Sequence, residues 1–297
     1  MPDPLRGTRT FVVGMMEISR PQDPRHYQIA VLGILVSYGV VVLDFGIHWY
    51  NALAIVATAL LVQFAGTRIA RLPAFDPKSP MITALSLTLL LRTDFVLLAM
   101  AAAAIAIGSK FLVRFNGKHM FNPANVAIVS MMLLSDRVWI STGQWGNAAI
   151  VAFTLACLGF VVLTRAKRAE TSITFLIAYA ALLTGRAIWL GDPLEIPLHH
   201  MQNGALLIFA FFMISDPKTT PNTAIGRIIY GSLVASIAFV IQFVLYQPNG
   251  PILALIMSAP LVPIIDFLKS GRNYEWTVPR FSKPTHLCAS KEIKGVF

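Results

Sequence analysis

Apolar residues along this chain come in long blocks separated by short polar stretches. Ten blocks stand out, at 27–47, 51–67, 79–92, 95–114, 121–135, 147–165, 171–190, 202–215, 224–246 and 251–268. A helix rising about 1.5 Å per residue needs about 20 mostly apolar residues to cross a hydrocarbon core of about 30 Å. Most blocks approach that length. Those at 79–92, 121–135 and 202–215 are shorter and are bounded by Pro, Asn or Gly, the pattern of broken or half-crossing helices. The spacing predicts an all-α polytopic membrane protein with ten transmembrane helices. Residues 1–26 are polar and lack the short apolar stretch and small-residue cleavage site of a signal peptide, so the first block is expected to be an uncleaved membrane helix.

Composition narrows the class. Of 297 residues, 56% are hydrophobic and 13% charged, with a mean hydropathy of +0.67. An ordinary soluble domain has about 25% charged residues, so a soluble enzyme, a disordered chain and a coiled coil are excluded. Cys157 and Cys288 are too few for a Cys-only metal site, and their separation argues against a structural disulfide. The net charge of +10 has its explanation in the loops. All of the 24 Lys and Arg except Arg92, Arg137 and Arg186 fall in the N-terminal segment, the tail from 269 to 297 and every second loop between. Positive residues favour the cytoplasmic side, which puts both termini there. No basic patch is interleaved with aromatic residues, so nucleic acid is not an expected partner; the lipid bilayer is.

The two halves resemble each other. Residues 80–94 lead through an apolar run to Arg92-Thr93-Asp94, and residues 203–216 to Ile214-Ser215-Asp216. Each is followed by a long Ala- and Ile-rich block, a polar turn (Asn116-Gly117 or Pro248-Asn249-Gly250) and a block containing proline. Five spans per half is an odd number, so the expected repeats, 27–135 and 147–268, run in opposite directions. Inverted repeats place a binding site at their interface, beside discontinuous helices.

Two polar clusters could carry chemistry there. Asn122-Pro123-Ala124-Asn125 opens the fifth block. Pro suits a first helical turn, Asn caps it, and the free amides attract anions or carbonyls. Lys110, Arg114, Asn116, Gly117 and Lys118 stand just before it. The plainer account is a capped helix start with ordinary loop cations. Ser215-Asp216-Pro217-Lys218-Thr219-Thr220-Pro221 is the second cluster, a proline-fixed loop rich in hydroxyls, either a ligand contact or a stiff turn. Asp44, Arg186 and Asp266 lie near predicted span ends, where they can reach the interface. The six histidines sit outside the span centres, which argues against a haem. No His-Glu-x-x-His, Walker A, Gly-x-Ser-x-Gly or Gly-x-Gly-x-x-Gly motif occurs, so neither a metal site nor a catalytic residue is assigned.

Several stretches resemble one family. Lys110-Phe111-Leu112 with Phe121-Asn122-Pro123-Ala124, then Ser215-Asp216-Pro217-Lys218-Thr219-Thr220-Pro221, then Ala259-Pro260-Leu261 with Ile265-Asp266, are similar to elements of the NqrB/RnfD family, the B subunit of the sodium-pumping NADH:quinone reductase and the D subunit of the Rnf electron-transport complex. The resemblance runs from about residue 27 to 270. It implies a ten-helix inverted-repeat subunit of a bacterial inner membrane that holds flavin and passes electrons through the bilayer, coupled in some members to cation movement. It also implies other membrane redox subunits or a soluble cytoplasmic electron donor as partners. Family members carry a Gly-Ala-Thr motif whose Thr bears covalent FMN. Here the corresponding loop is Trp139-Ile140-Ser141-Thr142-Gly143-Gln144-Trp145-Gly146, and Gly-Ala-Thr occurs nowhere. Covalent FMN is therefore not expected, and the chain looks closer to a divergent branch associated with enediyne biosynthesis. The expected occupant is non-covalent flavin, FMN or riboflavin, near Lys110, Asn116, Asn122, Pro123, Asn125, Ser215, Asp216, Lys218, Thr219 and Thr220. Two other functions fit the same scaffold: a transporter or channel for a small solute without redox chemistry, and an assembly subunit whose basic tail docks a soluble partner.

Overall fold

The computed structural model describes residues 23–41, 46–140, 154, 169–269, 271 and 274. Nine of the ten expected blocks fall wholly or largely on these residues, and each is helical. All of the block at 147–165 but residue 154, the loop beyond Ile140, Asp44, both cysteines, the N-terminal segment before Asp23 and most of the tail lie outside them.

The first half contains α1 (Pro24–Val41), α2 (Trp49–Ile69), α3 (Lys78–Leu90), α4 (Val96–Leu112) and α5 (Pro123–Leu134). The second contains α6 (Ala169–Leu190), α7 (Glu195–Met201), α8 (Gly204–Ile208), α9 (Ala224–Phe239), α10 (Gly250–Ser258) and α11 (Leu261–Leu268). Polar side chains start several of them. Asn122 Oδ1 accepts from the Asn125 amide at 3.1 Å, Asn203 Oδ1 from Ala205 at 2.8 Å, and Thr223 Oγ1 from Gly226 at 3.1 Å. Each satisfies an amide that the first helical turn leaves over. α8 and α9 both end in π-helical turns, Phe209–Met213 and Val240–Val244.

Among the described residues strand is confined to two short pairs. Leu91–Arg92 (β1) pairs antiparallel with Trp139–Ile140 (β4), and Arg114–Phe115 (β2) with Lys118–His119 (β3). The β2–β3 hairpin turns through Asn116 and Gly117, at φ +48° and +78°, which is the backbone a two-residue turn of this kind demands.

Similar helix pairs recur in the two halves of the chain. α2 lies along α4 as α6 lies along α9, and α4 meets α5 as α9 meets α10. Small residues let the axes approach: Ala99, Ala102, Ala103 and Ala106 of α4 are fully buried. Outward faces are apolar, with Leu61, Leu97, Leu133, Ile177 and Trp189 exposed. Only 17% of the most apolar window of α2 and 22% of that of α6 is buried. Apolar surface on this scale is unusual on a soluble protein and natural against lipid. Three described helices are long and apolar enough to cross a membrane, or four if α10 and α11, bent by 52° at Ala259-Pro260, count as one span. α4, α5 and Gly204–Met213 are shorter apolar helices. At 1.5 Å per residue the last is about 15 Å long, half a bilayer core.

Candidate functional site

The ends of the short helices converge on a cavity of about 210 Å³. The first turns of α3 supply Ser79, Ile82 and Thr83, the end of α4 supplies Lys110 and Phe111, and the start of α5 supplies Asn122, Pro123 and Ala124. Phe212, Ser215, Asp216 and Lys218 close it from the second half. A direct bond ties the halves here: Asn122 Nδ2 donates to Met213 O at 3.1 Å. That carbonyl belongs to the π turn ending α8, where the usual helical acceptor pattern is broken. Thus α3 begins at the cavity where α8 stops.

The wall is mixed. Lys110 is 5% exposed, and its Nζ donates to Ser79 Oγ at 3.0 Å. Gln63 lines the same space, and its Oε1 is buried without a hydrogen-bond partner. At the α5 terminus Pro123 has no N–H, Asn125 bonds to the cap and Val126 N bonds to Asn122 O, so Ala124 carries the amide the cap leaves over. Ile82, Phe111 and Phe212 are apolar lining.

Around the rim the charges are mostly matched. Arg25, 7% exposed, donates to Asp23 (Nη2 to Oδ2, 2.7 Å) and to Asp76, and Lys78 Nζ reaches Asp23 Oδ2 at 2.9 Å. Burial would raise the Asp23 carboxyl, but hydrogen bonds from Arg25 and Lys78 outweigh it and hold the group well below the usual carboxylate range. His119 lines the cavity beside Lys110. Burial, then the nearby Lys110, Arg114 and Lys218, push its imidazole down to about 4, so it is neutral at physiological pH.

His119 is also the wall to a second, larger cleft of about 700 Å³, lined by Phe115, Asn116, Met120, Val262, Ile264 and Phe267 among others. Lys118 bridges the halves at its edge. Its Nζ donates to Thr220 O (2.7 Å), Asn222 Oδ1 (3.0 Å) and Asp266 Oδ2 (2.8 Å), while Asp266 Oδ1 accepts from Asn222 N at 2.8 Å.

Of the ten residues singled out from the sequence, Lys110, Asn122, Pro123, Ser215, Asp216 and Lys218 line the first cavity. Asn116 lines the second cleft from the hairpin turn. Asn125 is 1% exposed, with its Oδ1 lacking a hydrogen-bond partner behind the wall. Thr219 Oγ1 donates to Asp216 O at 3.3 Å, and Thr220 is fully buried, its carbonyl taken by Lys118. Asp266 is partnered by Lys118, and Arg186 lies 3.4 Å from Asp192. Sequence reasoning missed Gln63, Ser79 and the Asp23–Arg25–Asp76 network. The signal for the first two was a polar residue inside or at the edge of an apolar block. Among the described residues no group of His, Cys, Asp or Glu could hold a metal ion.

Apolar helices able to span a bilayer, shorter apolar helices beside them, and a polar cavity where those meet are the features of a helical membrane protein. Residues 138–275 match the family described as NQR2, RnfD, RnfE, so the resemblance carried by the motifs is borne out over that stretch. The D subunit of the ion-translocating oxidoreductase complex of Citrobacter koseri is 32% identical over 131 residues, covering 44% of this chain and 36% of that protein. The protein of the same name from Cronobacter sakazakii is 32% identical over 133 residues with the same coverages, and that of Escherichia fergusonii 30% over 131. The aligned stretch thus spans little more than a third of these relatives. The family match includes Ser215–Thr220 and Asp266 but not Lys110–Asn125.

Proposed function

We propose that this chain is an integral-membrane subunit of an ion-translocating electron-transport system, holding flavin non-covalently in the Lys110–Asn122–Asp216 cavity and passing electrons across the bilayer. The family match and the relatives from ion-translocating oxidoreductase complexes support the class. The opposed course of α3 and α8, together with the recurring helix pairs, supports two inverted repeats, and the distribution of Lys and Arg among the loops supports ten crossings with both termini cytoplasmic. Other membrane redox subunits and a soluble cytoplasmic donor follow as partners, in a bacterial inner membrane.

One observation carries the ligand: the cavity wall offers a buried ammonium, a spare helix-start amide and a buried acceptor, Gln63 Oε1, between apolar faces. The edge of an isoalloxazine ring presents carbonyl acceptors and an N–H donor, and its faces are apolar. A cavity of about 210 Å³ takes one end of the molecule, the ring or the terminal phosphate, and leaves the rest to extend outward. Flavin supplies the electron chemistry when bound, and the protein sets its position and potential. Asn122, at once cap and inter-half tie, fixes the α5 terminus against the ring site, and neutral His119 keeps a further positive charge away from it.

Purification in mild detergent tests this. The expected result is a yellow protein whose flavin is released by denaturation, with none covalently retained. A folded, colourless preparation that takes up neither riboflavin nor FMN overturns it. A colourless protein that moves a solute across proteoliposomes without a redox partner establishes the alternative, a transporter on the same scaffold.

A further inference from the structure

We propose that Lys110 is the anion-holding group of the cavity, and that its ammonium takes the negative charge of the bound flavin, located on the phosphate of FMN or on the reduced ring. This rests on the flavin reading above.

The lysines near this site differ in one respect. Lys118 has three acceptors, Thr220 O, Asn222 Oδ1 and Asp266 Oδ2. Lys78 bonds the Asp23 carboxylate and Lys218 the carbonyl of Tyr274. Lys110 is the most buried of the four, yet its one described hydrogen bond is to a neutral hydroxyl, Ser79 Oγ at 3.0 Å. An ammonium has three donors. Among the described residues no carboxylate lies within 4.0 Å of Lys110 Nζ; the two on the cavity wall act on it through space and hydrogen-bond other groups. Asp76 accepts from Arg25 and from the Lys78 amide, and Asp216 Oδ1 accepts from the Lys218 amide at 3.0 Å. A cation withdrawn from water holds its place when it is paired and hydrogen-bonded. Here the spare donors belong to a side chain that lines the cavity, close to where Ala124 presents the left-over amide of α5. A helix start and a lysine together make a recess for an anionic oxygen.

The corresponding place in the second half shows what the position does without a ligand charge. Gln242 stands two residues before the end of the π turn that closes α9, as Lys110 stands two before the end of α4. Gln242 Oε1 is already satisfied by the Tyr179 hydroxyl at 2.8 Å. Glutamine is therefore a natural replacement at 110.

The test uses the full chain in detergent, with riboflavin and FMN as probes, and compares wild type with Lys110→Gln, Lys110→Met and Lys110→Arg. Binding is read by quenching of flavin fluorescence and the midpoint potential by redox titration. If the charge is the phosphate, wild type binds FMN about tenfold or more tighter than riboflavin, and Lys110→Gln removes that preference. If it is the reduced ring, the two flavins bind alike and Lys110→Gln weakens the reduced form about tenfold relative to the oxidised form, a fall of about 30 mV for a two-electron couple. Either result supports the proposal, with Lys110→Arg retaining most of the effect. Ligand-free Lys110→Met melts no lower than wild type, which separates loss of binding from loss of fold. Wild type that binds flavin, with neither ratio nor potential moved by Lys110→Gln or Lys110→Met, overturns the proposal and leaves the flavin reading standing. Wild type that binds neither flavin overturns the flavin reading itself.

Discussion

The two ends of Gly204–Met213 make the most instructive comparison in the molecule. At its C-terminal end lies the 210 Å³ cavity, with Lys110, Arg25, Asp76, Asp216 and Lys218 in its wall. At its N-terminal end lies a smaller cavity of about 90 Å³ lined by Tyr179, Asn203, Gln242 and Asn249, with no Lys, Arg, Asp or Glu in its described lining. Equivalent helices build both: an end of α4 or α9, and a start of α5 or α10. At the small cavity the polar groups largely satisfy one another, Tyr179 with Gln242 and Asn203 with its own helix start. At the large one a cation and an amide have capacity to spare. The lesson is that similar packing in the two halves of the chain carries very different polar chemistry at the two ends.

Cutting the charged tie between the halves is expected to have the largest effect. The Lys118 and Asp266 side chains are only 12% and 16% exposed. Removing one member of such a pair leaves the other charge without its partner and costs about 3–5 kcal/mol. Lys118→Met is thus expected to lower the unfolding free energy in detergent by about that amount. The double variant Lys118→Met with Asp266→Leu should recover much of the loss, because no unpaired charge remains. Equal losses in the single and double variants would show that the tie does not act as a charge pair.

Acid should separate two groups beside the large cavity next. Burial, with Lys110, Arg114 and Lys218 adding to it, holds His119 at about 4 against an ordinary 6.5. The unfolded chain therefore binds a proton between pH 6.5 and 4 that the folded chain refuses, and stability in that window rises with pH. The contribution is complete above 6.5 and is lost as pH falls towards 4. Asp23 has its carboxyl held down, so its contribution is complete above its ordinary 3.8 and is lost only below that. His200, in the wall of the small cavity, is also held below its ordinary value, by burial and then by Arg186, so thermal unfolding of His119→Gln should decline less steeply than wild type across pH 6.5 to 4, with the decline below 3.8 retained. An unchanged slope in the variant would assign the acid sensitivity to another group.

Much of this was legible because the relevant rules are local. Block length and polarity announced the helices, Asn122-Pro123 announced a cap, and Asn116-Gly117 a tight turn. Six of the residues picked for the site do share one cavity, since caps and helix ends necessarily gather where short helices stop. The rest depends on contacts no local rule contains. Arg25 was an ordinary loop cation until Asp76, some fifty residues away, proved to be its partner. Thr219 and Thr220 look like ligand hydroxyls in the sequence, yet they are turned into the turn and the core. Gln63 becomes distinctive only through the absence of a partner for Oε1. The break in α10–α11 was foreshadowed by Pro260 and Pro263, but its angle was not.

The smallest expected effect concerns the packing that the two halves share. Gly66 brings α2 close to α4, and Gly231 brings α9 close to α6. A Cβ at 231 would lie 2.7 Å from Thr171 O and 3.2 Å from Phe175 N, both backbone atoms that cannot move without shifting α6. A Cβ at 66 would run into the outer ring carbons of Phe111, a side chain that can rotate away. Alanine gains about 0.5–1 kcal/mol over glycine in a helix, and overpacking costs about 1–3 kcal/mol. Gly231→Ala is therefore expected to lose about 1–2 kcal/mol and Gly66→Ala to come out near zero. Melting temperatures of the two variants, compared in the same detergent, check the ordering. Equal tolerance at both sites would mean that the α6–α9 contact yields as readily as the α2–α4 contact, and that the likeness of the two pairs extends to their stiffness.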